Sequence, residues 1–267
     1  MPELPEMENY RRFLEQKLKG QIISSVEINR EKSINVPVDQ IMKNVVKHEI
    51  TSIERRAKHL LFHLDHGMVL LLHLMLGGWM FFGTNAEKPD RTIQVKLSFG
   101  ANHLFFIGLR LGYLHLLTKD EVANELNDLG PEPLDVSFTL PAFMNLVEGR
   151  RGRLKTKLVD QQFISGIGNC YSDEICYHAQ LLPTRNLNEL EQGETQQLYH
   201  SIRHVLKQAT HEGGYMENPL YKGDTLTGSV VTKVYDREGE RCSRCGSTII
   251  KEMISSRKTF YCKGCQK

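Results

Sequence analysis

The sequence predicts a multi-domain α+β fold, and three observations carry that prediction. Short apolar runs broken by turn residues crowd residues 22 to 117. Helical periodicity takes over after residue 130, and four cysteines in two close pairs end the 267-residue chain. With 40% hydrophobic and 25% charged residues the composition is that of an ordinary globular protein, and the length suffices for two small domains and an appendage.

The chain opens MPELPEMENYRR. Proline suits the first turn of a helix and acidic side chains suit its positive end, so PELPE reads first as a helix start. Met7, Tyr10, Phe13, Leu14 and Leu18 then recur at the spacing of one apolar helical face. From residue 22 the runs IISSVEI, HEITSIERR, HLLFHL, MVLLLHLML, WMFF, TIQVKLSF, HLFFI and GYLHLL form a sandwich or barrel pattern. The uncharged stretch from Gly67 to Ala86 reaches membrane-spanning length but holds four glycines, His73, Thr84 and Asn85. Two buried strands joined at Gly77-Gly78 fit it better, so no membrane association is expected. The two prolines of GPEPLD, residues 130 to 135, break the strand pattern and mark a hinge. Helices are expected over Phe138–Glu148, Leu154–Asp160, Cys170–Gln180 and Leu190–His211, with Gly213-Gly214 ending the last. The implied partition is 1–130, 131–223 and 224–267.

The net charge of +2 argues against a uniformly basic nucleic-acid coat, yet the charge is clustered. Arg55, Arg56 and Lys58 form one cluster. Five basic residues and no acid lie between Arg150 and Lys157, and seven face the single Glu252 from Arg241 to Lys267. The acidic N-terminus lacks the features of a secretory signal, so a cytoplasmic location is expected.

The terminal cysteines are ordered Cys242-x2-Cys245-x16-Cys262-x2-Cys265. Each pair brings two thiolates to one side of a tight turn, and sixteen residues suit a hairpin that folds back so that the pairs meet. One structural Zn2+ in a closed four-thiolate site is the expectation; disulfides are the alternative, disfavoured in a reducing compartment. Cys170 and Cys176, six apart in a helical stretch, read as buried thiols. Inside the hairpin, IIKEMISSRKTFYC alternates β-formers around a basic tip at Arg257-Lys258, which suits a nucleic-acid finger or a protein-binding ribbon. Gly166-Ile167-Gly168-Asn169 precedes a helix and can bring backbone N–H groups to a phosphate, although a plain glycine turn between helices has the same appearance. It lacks the spacing of a dinucleotide fingerprint.

In this order, PELPE, RRAKHLLF at 55–62, LGPEPL at 129–134, GIGNCYSDE at 166–174 and the hairpin ending RKTFYCKGCQK resemble the formamidopyrimidine-DNA glycosylase and endonuclease VIII family. The resemblance implies an N-terminal β-sandwich with flanking helices, a helix-two-turn-helix domain and a zinc-finger β-hairpin. It implies a base-excision DNA glycosylase with AP lyase activity, acting on double-stranded DNA that carries a damaged base or abasic site; no self-association surface is apparent, so a monomer is expected. In such enzymes the initiator Met is removed and the new N-terminal proline attacks C1′ of a flipped nucleotide, which assigns that role to Pro2. The chemistry is sensible, because an α-amino group near pKa 8 is roughly a tenth neutral at pH 7 whereas a lysine near 10.4 is neutral only a few parts in ten thousand. By the same resemblance Glu3 is the general acid/base, Glu6 a supporting carboxylate in the same pocket, Lys58 a phosphate contact beside the reaction, and Asn169 and Arg257 the phosphate clamp.

Two stretches depart from the family pattern. The wedge that fills the space left by an extruded base comes, in the formamidopyrimidine branch, from a Met in HLxM and an Arg and Phe in DPRRFG. Here the first loop reads His73-Leu74-Met75-Leu76 and the second Ile107-Gly108-Leu109-Arg110-Leu111-Gly112. Leu76 stands for the Met, Leu109 for the base-probing Arg and Leu111 for the Phe, while Arg110 aligns with the neighbouring arginine. Met75 and Leu76 are therefore the expected wedge, with Arg110 as a DNA contact. The segment Tyr215 to Val231 differs from the family's GKPGYF-like lesion loop, so activity on 8-oxoguanine opposite cytosine is expected to be weak or absent. A catalytically weak or inactive damaged-DNA-binding protein of the same fold is the alternative; a generic zinc-ribbon protein leaves PELPE unexplained.

Overall fold

The computed structural model describes residues 1–267, which form two compact units. The first comprises Met1–Asn127 and Glu212–Ser229, the second Asp128–His211 and Val230–Lys267. Residues 212–229 thus pack with the N-terminal strands, on neither side of the expected 223/224 boundary with the helices or finger.

In the first unit, α1 (Leu4–Leu18) precedes β1 (Ser25–Ile28), α2 (Val38–Val45), β2 (Ile50–Arg56), β3 (His59–Leu64), β4 (Val69–His73), β5 (Trp79–Gly83), β6 (Ile93–Phe99), β7 (Asn102–Ile107), β8 (Tyr113–Leu117) and α3 (Lys119–Glu125). The strands make two four-stranded antiparallel sheets, ordered β1-β6-β7-β5 and β2-β3-β4-β8. This is the expected sandwich. Alternation along each strand places Leu60, Phe62, Leu70, Leu72, Leu114 and Leu116 of one sheet in a single core with Val26, Met80, Val95, Leu97, Leu104 and Phe106 of the other. Phe62 and Phe106 meet edge to face at 6.5 Å between ring centres, a pair worth about 0.5–1.5 kcal/mol beyond its buried area. The apolar face of α1 completes this core through the fully buried Met7, Tyr10, Leu14 and Leu18.

Three features of this unit differ from the sequence reading. Gly77-Gly78 does not close a hairpin: β4 pairs with β3 and β8, whereas β5 pairs with β7, so the chain crosses here from one sheet to the other. The crossing packs tightly on the loop after β7, where Gly108 has φ +72° and a Cβ would overlap the carbonyl of Gly77. The other two differences are α2 and α3, helices within or just after the strand-rich stretch. In α2, Ile41 and Val45 are buried; α3 is capped by the Thr118 hydroxyl, which accepts from the N–H of Glu121.

Residues 212–229 are held on this unit by main-chain and ring contacts. The Phe82 N–H donates to the Leu220 carbonyl at 2.7 Å, and Tyr221 stacks on Phe13 with ring centres 4.6 Å apart and planes within 3°.

The second unit contains α4 (Leu140–Val147), α5 (Leu154–Leu158), α6 (Asn169–Ala179), α7 (Gln192–His211) and the hairpin β9 (Ile250–Ile254) with β10 (Arg257–Tyr261). The four helices fall where periodicity puts them, with ends shifted by one or a few residues. Phe138, Phe143 and Tyr199 form an aromatic core with ring centres 5.8 Å apart in each pair. The Arg203 guanidinium donates to the carbonyls of Pro133, Asp135 and Phe138, which fastens the GPEPLD stretch to α7. The same stretch joins the turns before α6, since Gly130 N–H donates to Gln161 O and Ser165 N–H to Pro131 O. No helix of the chain is long and apolar enough to cross a membrane.

Candidate functional site

In the first unit the candidate residues gather at the start of α1. Pro2 is buried, Glu3 is 2% exposed and Glu6 is fully buried. A buried carboxylate needs donors, and Glu6 has them: its Oε2 accepts the Glu3 N–H at 2.8 Å and its Oε1 the Tyr215 N–H at 2.9 Å. Backbone can approach Oε1 this closely because the preceding residue is Gly214, at φ +83°, where a Cβ would overlap that oxygen. The Tyr215 hydroxyl also donates to the Met1 carbonyl at 3.4 Å. Glu6 therefore joins the start of α1 to the segment after α7. Tyr10 lies one turn further along α1, and burial, reinforced by the charges of Glu6 and Asp224, holds its phenol far above the ordinary range, hence neutral.

Lys58 is 5% exposed and sits in the two-residue turn between β2 and β3, where Ala57 has φ +52°. The turn is braced from α1. Glu8 Oε2 accepts from the Arg55 Nε at 3.0 Å, and Arg55 Nη1 donates in turn to the Ala57 carbonyl at 3.1 Å. Burial pushes the Glu8 carboxyl up, but Arg11 and Arg55 outweigh it and hold the group below its usual range. The His73 ring hydrogen-bonds the Lys58 backbone and stacks on His59 at 4.4 Å; burial lowers the pKa of both imidazoles, so they are neutral at pH 7.

The residues of the two loops that would carry a wedge fall into two groups. Leu76 is 73% and Leu111 63% exposed, Arg110 is exposed and Met75 half-buried, on two loops that touch where a Gly112 Cβ would meet the Met75 nitrogen. Leu109, by contrast, is fully buried in the sandwich core, with its N–H on Gln94 Oε1 and its carbonyl on the Ser33 hydroxyl. Between β7 and β8 it packs inward, and the aliphatic tips left on the surface are Leu76 and Leu111.

In the second unit Asn169 is exposed at the first position of α6, one residue earlier than periodicity suggested, at the helix end whose dipole favours an anion. The turns before it are braced by Gln161, whose amide donates to Val159 O and Ile167 O and accepts from Gly166 N–H. Arg257 is the first residue of β10, immediately after a turn in which Ser255 (φ 49°) and Ser256 (φ 62°) are both left-handed. Asp173 ties the two together. Its Oδ1 accepts from Lys155 Nζ at 2.6 Å and its Oδ2 from the Phe260 N–H at 3.0 Å, and the same ammonium donates to Asn169 O and Ser172 Oγ, each at 2.8 Å. Lys155 was read only as one of a basic cluster. It is fully buried, and its role is to hold α6 rather than to meet solvent or phosphate. Burial pushes Asp173 up to about 7 against the opposing pull of Lys155 and the Phe260 amide. The neighbouring Glu174 accepts three backbone N–H groups, of Lys233, Val234 and Tyr235, at 2.8–2.9 Å and so anchors the approach to the finger.

The four terminal cysteines converge within 4.8 Å of one another. Cys242 and Cys265 sulfurs are 3.8 Å apart and those of Cys245 and Cys262 3.4 Å, with no disulfide among them. A tetrahedron of Zn–S bonds near 2.3 Å has edges of roughly 3.8 Å, so the set fits one structural zinc ion. Such a site is closed, and the metal shapes the hairpin. Arg244 covers it from outside, stacked over Tyr177 at 4.1 Å and donating to the Tyr177 carbonyl. Cys170 and Cys176 are free, fully buried thiols in α6.

Family models match three consecutive parts of the chain: the formamidopyrimidine-DNA glycosylase N-terminal domain over residues 1–113, its H2TH domain over 129–218, and a zinc finger found in FPG and IleRS over 239–267. A formamidopyrimidine-DNA glycosylase of Pelotomaculum thermopropionicum is 34% identical over 100% of this chain and 99% of its own, and one of Rickettsia africae is 35% identical with the same coverage. Among solved structures, Lactococcus lactis Fpg bound to DNA containing N7-benzyl-Fapy-dG superposes with a TM-score of 0.92 at 30% identity, covering 100% of both chains. The L. lactis enzyme with abasic-site DNA gives 0.90 at 28% over 99% of each. With all three domain models in order and full-length identity above 30%, the chain belongs to the formamidopyrimidine-DNA glycosylase family.

Proposed function

We propose that this protein is a base-excision DNA glycosylase with AP lyase activity on duplex DNA, with Pro2 as nucleophile once Met1 is removed. The observation that carries the reading is the buried Pro2-Glu3-Glu6 start of α1, on a chain similar along its whole length to named glycosylases and to DNA-bound Fpg structures. The Pro2 nitrogen lone pair forms a bond to C1′ while the glycosidic bond breaks, its electron pair leaving with the base, which takes up a proton. Loss of the amine proton gives a C1′ aminal, whose nitrogen lone pair then forms the C1′=N bond as the C1′–O4′ bond breaks and the ring oxygen leaves with its electron pair and takes up a proton; the resulting iminium is an electron sink. Glu3 then accepts a C2′ proton, and the C3′–O bond breaks with its electron pair on the departing phosphate. Glu6, held by two backbone donors, fixes the turn from which Pro2 and Glu3 project. Lys58, Asn169 and Arg257 contact the phosphates around the flipped nucleotide, and their attraction offsets the few kcal/mol of unstacking.

Lesion preference differs from that of an 8-oxoguanine enzyme in this reading. Leu109 is buried where a base-probing arginine would stand, and no apolar side chain can hydrogen-bond a base edge. The exposed Leu76, with Met75 beside it, supplies the wedge, and within the segment 212–229 a loop is closed by Asp224, which accepts the N–H groups of Leu220, Leu226 and Thr227. The test is release of single lesions from duplexes by protein with a verified Pro2 terminus. Excision of a formamidopyrimidine or oxidised pyrimidine, little action on 8-oxoguanine opposite cytosine, and a loss of rate in Met75→Ala and Leu76→Ala support the account. Efficient 8-oxoguanine release overturns the specificity; no release of any lesion favours a damage-binding protein.

A further inference from the structure

A second group of metal-binding side chains lies in the first unit, on residues that the proposed reaction leaves unused. His48 stands just before β2, while Asp65 and His66 form the turn between β3 and β4. The Asp65 N–H donates to the Glu49 carbonyl at 3.0 Å, so the turn is fixed against the strand that follows His48. His48 Nδ1 is 2.7 Å and His66 Nδ1 3.3 Å from the same oxygen, Asp65 Oδ1, and the two rings lie 3.8 Å apart, tilted by 30°.

We propose that His48, Asp65 and His66 form a surface site for a divalent transition-metal ion, beyond the zinc of the four cysteines. One ligand atom from each of the three residues lies within 4.8 Å of the others, the span a single ion can bridge. Bonds of about 2.0–2.2 Å give neighbouring ligands a separation of roughly 2.9 Å in an octahedron and 3.4 Å in a tetrahedron; the observed 3.3 Å lies between these and the observed 2.7 Å just below them, so small side-chain adjustments suffice. Each nitrogen now on Asp65 is one that an ion would take, so loading exchanges two shared hydrogen bonds for coordination. Two imidazoles with one carboxylate suit zinc, nickel, cobalt or copper, whereas magnesium and calcium prefer all-oxygen sets. All three side chains reach solvent, so an ion would complete its shell with water.

Nickel is the probe, because its uptake is measured separately from the resident zinc. Full-length protein carrying one zinc per chain is dialysed against micromolar NiCl2 at neutral pH, and both metals are counted by mass spectrometry. The expected result is one bound nickel with zinc unchanged. His48→Ala and His66→Ala, at unaltered thermal midpoint, should each weaken nickel binding about tenfold or more, and the double variant should bind none. Absence of nickel from the wild type, or equal uptake by the double variant, overturns the assignment; the zinc count separates either result from damage to the cysteine site.

Discussion

The buried ammonium of Lys155 and the buried carboxylate of Asp173 meet at 2.6 Å, and the second carboxylate oxygen holds the backbone of Phe260 in the zinc-finger hairpin. This pair connects the start of α6, where Asn169 is exposed, to the strand that begins with Arg257.

Lys155→Met removes one partner of a pair with no solvent access and should destabilise the protein by about 3–5 kcal/mol. The sign of its pH dependence follows from Asp173. Its folded pKa already lies above the unfolded value, so the stability it contributes is present below pH 4 and lost as pH rises toward 7. Without Lys155 that pKa climbs further. The variant's deficit should therefore be smaller at pH 5 than at pH 8, as denaturant melts at the two values would reveal. An equal deficit at both would mean that Asp173 is not the group left unpaired.

Gly214→Ala introduces a Cβ that overlaps Glu6 Oε1 at a backbone φ of +83°. Both effects oppose it, so a loss of more than about 1 kcal/mol is expected, together with reduced strand cleavage. Gly223→Ala is the control for the backbone effect, since that glycine has a similar φ of +85° with nothing within 4 Å of an added Cβ. If the two variants cleave abasic DNA equally, packing against Glu6 does not matter to the site.

Ser255 and Ser256 occupy the two left-handed positions of a tight hairpin turn, where glycine or asparagine is at ease. Ser256→Gly should relieve strain and raise stability by up to about 1 kcal/mol, within the range for compatible backbone changes. A lower thermal midpoint would show that the serine side chain contributes more than its conformation costs.

Removing zinc with a chelator should melt β9 and β10, because a closed thiolate site supplies folding energy directly, about 10–16 kcal/mol in small finger peptides. Binding to abasic duplex DNA should fall with it, as Arg257 loses its strand, while the sandwich signal in the near-ultraviolet persists. Full DNA affinity in metal-free protein would contradict the placement of Arg257 in the clamp.

Local signals were the legible ones. The apolar face of α1, the four-cysteine spacing and the strand alternation each depend on residues close in sequence, and Thr118-x-x-Glu121 announces α3 to anyone who looks for a capping box. Strand order does not: the run through Gly77-Gly78 has the glycines of a hairpin, but its halves join different sheets according to partners 20 to 48 residues away. The same holds for the bracing of the site. Lys155 and Asp173 look like ordinary surface charges until Phe260, 87 residues from Asp173, takes the second carboxylate oxygen. Glu6 was visible as a carboxylate in the N-terminal motif, yet its partner at Tyr215 lies 209 residues on. Leu109 and Leu111 differ by two residues in sequence and by burial in the fold, because the loop after Gly108 turns one side chain into the core and the other out.

The proposed chemistry rests on the amine of Pro2, and borohydride trapping on a duplex with one abasic site is its decisive test. Protein whose N-terminus is confirmed as Pro2 should form a stable covalent adduct with the DNA, through reduction of the iminium to an amine, and Pro2→Gly or retention of Met1 should abolish or sharply reduce it. A correctly processed protein that gives no adduct, or an adduct of equal yield when Met1 is retained, would contradict the account.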